Sequence, residues 1–168
     1  MSTKISMEQL QQKINEMKTS GAYDLSTEED LSIAIMNLIS LEEHFFFTGN
    51  KTGKDEYFGM VDEVRQIRKD LLARMMPQNE GETWCISKHL LSTTMRMMEV
   101  GTKLQGDGKT EEAKDYFQKA YKIYSLFWAV RFRLINTEDV QKVAGNKDEK
   151  NAWSYEDLVT KLVDCCKE

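Results

Sequence analysis

Cys85 and His89 stand four residues apart in a stretch of helical period, so a thiol and an imidazole share one helix face. Both are metal ligands, and together they supply two of the four donors that a structural zinc site uses. The others would have to come from elsewhere. His44 is badly placed for it. It falls about 27 Å along its own helix, and His89 about 9 Å along a helix that runs the same way, at 1.5 Å per residue. Leu41 stands three before His44 and Ile86 three before His89, so the Glu-x-x-His of di-iron bundles is absent, as is His-Glu-x-x-His. Beside Ile86, Leu90 and Thr93, His89 reads as a histidine at the edge of a core. No metal and no cofactor is expected.

Carboxylates are the second chemistry to weigh. Glu42 sits close to an apolar stripe, four residues after Leu38 and three before Phe45. Glu99 is its counterpart in the next helical hairpin, and Asp62 or Glu63 should face Glu42 from the third helix. Acids gathered at one level bind a cation or work as acid and base. The simpler arrangement pairs Glu42 with a nearby Lys or Arg and leaves the other acids solvated, and that is the one expected. Nucleophilic catalysis has little support. There is no Gly-x-Ser-x-Gly elbow and no Walker loop. Cys85 has Lys88 and His89 nearby on its own helix, while the adjacent Cys165 and Cys166 lack the spacing of a redox pair.

Phe127, Trp128, Arg131, Phe132 and Arg133 mix aromatics with arginine, the residue types that dominate binding hot spots. They are the expected partner-binding surface, unless a C-terminal helix folds back and buries them. Met95, Met97 and Met98 are core filler at helical spacing, although methionine also suits adaptable binding surfaces.

Six helical segments must carry these residues. Ser6 with Gln9, and Ser26 with Glu29, form capping boxes, and Ile5 with Leu10 forms a hydrophobic staple. Leu10, Ile14 and Met17 line the first helix, which ends before Gly21. The stripe Leu31, Ala34, Ile35, Leu38, Leu41 and Phe45 predicts a second helix to about Thr48, closed by the polar run from Gly49 to Gly53. Asp55 opens a third, and Pro77 closes it. A fourth, from about Thr83 to Leu104, is apolar over more than half its circumference and should sit centrally. Thr110 caps a fifth that continues to about Leu134. The architecture is all-α: one domain over 1–168, with two consecutive antiparallel hairpins at 26–135, a polar linker at 136–152 and a C-terminal helix at 153–167.

Composition narrows the function classes. The 168 residues carry a formal net charge of −5, which argues against a nucleic-acid partner. The local run Arg65, Arg68, Lys69 and Arg74 is interleaved with Asp62, Glu63 and Asp70 and reads as a solvated helix face. No apolar run approaches the length of a membrane span, and Met1 to Leu10 lack an apolar h-region, so no secretory signal is expected. Three cysteines, two of them adjacent, make no disulfide framework, so a reduced cytoplasmic setting is expected.

From Met98 to Tyr124, Gly101, Gly108, Ala113, Phe117 and Ala120 follow a small, small, small, bulky, small pattern. Small residues let two helices approach, and the aromatic fills the groove that results. The segment resembles a tetratricopeptide repeat. Ser125 stands where that pattern often has proline, and only about one repeat is covered. The first hairpin echoes it, with Gly49 answering Gly106 and Tyr57–Phe58 answering Tyr116–Phe117. The resemblance implies contact with a protein. Two readings follow: a non-catalytic interaction or scaffold module, binding another protein or a second copy of itself, and a small-molecule- or metal-binding helical bundle, conceivably an enzyme, built on Glu42 and Glu99 or Cys85 and His89.

Overall fold

The computed structural model describes residues 7–21, 24–76 and 82–134. They form five helices and, among the described residues, no strand: α1 (Met7–Ser20), α2 (Leu25–Thr52), α3 (Glu56–Met75), α4 (Glu82–Gly106) and α5 (Thr110–Arg131). The class is all-α, as the periodicity predicts. The cap at Ser6, the turn at Pro77, the linker 136–152 and the helix expected at 153–167 lie outside the described residues.

Helix ends follow local chemistry, with corrections at both ends of α2 and at the start of α5, where Lys109 rather than Thr110 holds the cap position and no side chain caps the helix. The cap of α2 is Asp24 rather than Ser26. Its carboxylate accepts from the Ser26 and Thr27 amides and from the Thr27 hydroxyl at 2.7 Å, a denser set than a serine supplies. At its other end α2 runs past Thr48 to Thr52, because Gly53, at φ 65°, takes the left-handed turn and donates its amide to Gly49. Gly49 is therefore inside the helix. Gly108, at φ 76°, turns the chain between α4 and α5, where the Lys109 amide reaches back to Leu104.

α2 packs on α3 and α4 on α5, and a contact between α2 and α4 joins the two hairpins. One cluster takes side chains from all five helices: Ile14 of α1, Ile35 of α2, Leu72 of α3, Leu91 of α4 and Trp128 of α5 among them. Each such side chain contributes about 1.5–3 kcal/mol by leaving water. The central element is the second half of α5 and not α4. Ser125 to Val130, six residues in a row, are all buried, so that turn and a half is covered on every side. The outer end of α4 faces solvent instead, with Met98 46% exposed.

Polar bridges fix the hairpins on each other. Arg131 of α5 donates to both oxygens of Glu28 on α2, each at 2.9 Å. Four residues along α2, Ser32 meets the Tyr124 hydroxyl at 2.7 Å. Arg96 of α4 donates to Ser40 at 2.8 Å.

Candidate functional site

The expected partner surface on α5 is the first correction. Phe127, Trp128 and Phe132 are 0%, 1% and 4% exposed. Trp128 stacks on Phe132 at 5.3 Å and meets Phe127 edge-on at 5.2 Å, within the cluster that holds Ile14, Ile35 and Leu72. Such large apolar areas stabilise the fold more by joining the core than by facing water. Arg131 is half-buried on Glu28. Arg133 alone of the five is exposed, at φ 54° just beyond the helix end.

The metal and carboxylate candidates are not brought together. Cys85 is a free, exposed thiol, and His89 is also exposed. Among the described residues no three of His, Cys, Asp and Glu cluster closely enough to hold an ion. Asp62, Glu63 and Glu99 are solvent-exposed. Instead of acids, α3 turns arginines toward Glu42. Arg68 Nε donates to Glu42 Oε1 at 2.7 Å and its Nη2 to Oε2 at 3.4 Å, while Arg65 Nε donates to Oε2 at 3.0 Å. Arg68, expected on a solvated face, is buried. A long aliphatic stem reaching a carboxylate makes that possible. Burial pushes the Glu42 carboxyl up, but hydrogen bonds from Arg68 and Arg65 and their positive charges outweigh it and hold it below the usual range. Glu42 is thus an ion-pair anchor, unsuited to carry a proton at neutral pH.

This ion pair lies in an open pocket of about 690 Å³ walled by α2, α3 and α4. That volume falls within the range of small-molecule sites. From Ile39 to Phe47 the α2 wall is about 12 Å long at 1.5 Å per residue. Phe46 and Phe47, 51% and 59% exposed, pack edge-to-face at 5.3 Å on that wall. Val61, Arg65 and Lys69 come from α3, and Trp84, Lys88 and His89 from α4.

Charge distinguishes the pocket from the rest of the molecule. Four cationic side chains, Arg65, Arg68, Lys69 and Lys88, and two carboxylates, Glu42 and Glu43, line it, although the whole chain is at −5. Glu43 lies 3.7 Å from Arg96. Among the described residues Lys69 and Lys88 make neither a hydrogen bond nor an ion pair. Two unmatched ammonium groups beside exposed aromatic rings suit an anion with an apolar body. A second, flatter hollow of about 570 Å³ at Thr110, Lys114, Phe117 and Tyr121 contains a single cation.

The sequence held one signal for this site. Three consecutive phenylalanines in a helix spread over more than half its circumference at 3.6 residues per turn, so they cannot all face one core. Phe45 is half-buried, whereas Phe46 and Phe47 are exposed. His89, expected at the edge of a core, is exposed on the pocket wall. Lys69 stands in the basic run expected on a solvated face and Lys88 beside Cys85, while Trp84 carries no signal; only packing sets the three side by side.

Both hairpins repeat one close approach. A Cβ added to Gly101 would lie 2.6 Å from the Phe117 ring, and one added to Gly49 would lie 3.0 Å from the Phe58 ring. The counterpart of Gly49 is therefore Gly101, and not Gly106, around which there is open space. Among the described residues no helix is long and apolar enough to cross a membrane. Comparison with family models, with curated proteins and with solved structures gives no match.

Proposed function

We propose that the protein is a small-molecule-binding helical bundle whose ligand is an anion with a flat or apolar body, held in the pocket between α2, α3 and α4. One observation carries this reading: Lys69 and Lys88, both without a partner among the described residues, share a pocket of about 690 Å³ with the exposed rings of Phe46 and Phe47. The Glu42–Arg68 pair forms a fixed polar floor, and the aromatic wall supplies the apolar contact that drives association. Ser92 and His89 both line the pocket, but among the described residues no hydrogen bond joins them as a nucleophile and its base, so the role proposed is binding rather than catalysis.

A thermal-shift screen of small aromatic carboxylates, sulfonates and phosphates tests it. Members of that panel raise the melting temperature of the native protein, and Lys88→Glu and Phe47→Ala each abolish the shift while leaving the ligand-free helical content unchanged. A panel without effect, or shifts that survive both substitutions, overturns the reading.

A second reading, a protein-interaction module, is favoured by the glycine–aromatic approach repeated at Gly49–Phe58 and Gly101–Phe117, which is the packing expected of tetratricopeptide-like hairpins. Under it Phe46 and Phe47 receive an acidic, apolar segment of another protein. Displayed peptides that bind in a Phe47-dependent way while the small-molecule panel stays silent would decide for it.

A further inference from the structure

Arg65 and Lys69 lie one turn apart on α3, and both line the pocket with Lys88 and His89 of α4. Glu42 keeps its main partner without Arg65. Arg68 reaches both its oxygens from a side chain 7% exposed, whereas Arg65 adds a single bond at 3.0 Å from one 48% exposed. With Arg68 assigned to Glu42, three cations of the lining remain: Lys69, Lys88 and Arg65, the last with the exposed Asp62 4.0 Å away. The one remaining carboxylate of the pocket, Glu43, lies 3.7 Å from Arg96.

A ligand with one negative charge leaves most of that excess unanswered. A phosphoryl group carries close to two charges at neutral pH and three acceptor oxygens, and the guanidinium fork matches two of those oxygens at once. Resting on the small-molecule reading above, we infer that the pocket's ligand is a phosphate monoester, recognised by Arg65, Lys69 and Lys88. Arg65 leaves Glu42 and takes two phosphoryl oxygens, the lysines add charge, and the ester's organic part lies on Phe46 and Phe47. Arg68 stays on Glu42 and keeps the floor intact. A long polyanion is a poor alternative, because the chain as a whole, at −5, repels it while the pocket alone attracts.

The test compares phenyl phosphate, benzoate and phenol, which share a ring and differ in charge, by NMR titration of the isotope-labelled full chain. Phenyl phosphate binds roughly tenfold or more tighter than benzoate, and phenol binds least. Arg65→Gln and Lys69→Gln each weaken phenyl phosphate more than benzoate, so that most of that advantage is lost, with spectra that stay folded. Phenyl phosphate binding no tighter than benzoate, with both lost in Phe47→Ala, overturns the phosphoryl assignment but not the small-molecule reading. Failure of all three compounds to bind overturns both. Displacement of phenyl phosphate by a short RNA at lower concentration overturns the assignment in favour of nucleic acid.

Discussion

Arg68 closes on Glu42 with two hydrogen bonds, Nε to Oε1 at 2.7 Å and Nη2 to Oε2 at 3.4 Å, from a side chain that is almost wholly buried. The pair ties α3 to α2 and forms the floor of the candidate pocket. Arg65 meets the same carboxylate from the solvent side. The two arginines thus differ in burial while sharing a partner.

That difference predicts unequal losses. Arg68→Ala leaves Glu42 without its buried counter-charge and should cost about 3 kcal/mol of stability. Arg65→Ala removes a half-exposed partner and should cost less than about 1 kcal/mol. Urea denaturation of both variants measures this. Equal losses would mean that the buried geometry of Arg68 is not what holds the two helices.

The pH dependence has a definite sign. Glu42 has its carboxyl held below the ordinary range, so its pairing contributes fully above that range and is lost as pH falls through the lowered value. Stability should therefore decline on acidification below about pH 4.5, near the ordinary glutamate value. Glu42→Gln, less stable at neutral pH, should show a shallower decline. Parallel profiles for the two proteins would remove Glu42 from the account.

Trp128→Ala should destabilise the fold by about 3–5 kcal/mol, since the ring is 1% exposed at the centre of the cluster. The loss is one of folding rather than of association. Thermal melts that remain close to wild type would contradict this and return the α5 aromatics to the surface.

Two glycines give opposite outcomes. Gly59, in the first turn of α3, has open space around it, and Gly59→Ala should stabilise by less than about 1 kcal/mol through helix propensity. At Gly101 the Phe117 ring is too close for a methyl group. Gly101→Ala should displace the ring and cost about 1 kcal/mol or more. Chemical denaturation of the two single variants shows whether that approach holds the second hairpin together.

The helices were legible because each has a continuous apolar stripe: Leu31, Ile35, Leu38 and Leu41 announce α2 without help from any other element. Boundaries were less so. The competition between Asp24 and Ser26 for the cap turns on which side chain reaches two amides, and Gly49 stays helical because Gly53, four residues later, takes the turn. The site was hardest to read. Lys69, Trp84 and Lys88 become neighbours only when α3 and α4 pack beside α2, and no local pattern encodes that. The aromatic–arginine run on α5 misled for a related reason. The same residue types serve a binding surface and a core, and burial alone separates the two.

The pocket between α2, α3 and α4 is the proposed binding site. The most direct measurement is an NMR screen of small anionic aromatic compounds against the labelled full chain, read as amide shift changes along the sequence. Changes concentrated at Glu42 to Phe47, Arg65 to Lys69 and Trp84 to Ser92 are expected, and so is their loss in Lys88→Glu. Changes centred instead on Thr110 to Tyr121, or none in any part of the chain, would contradict that assignment.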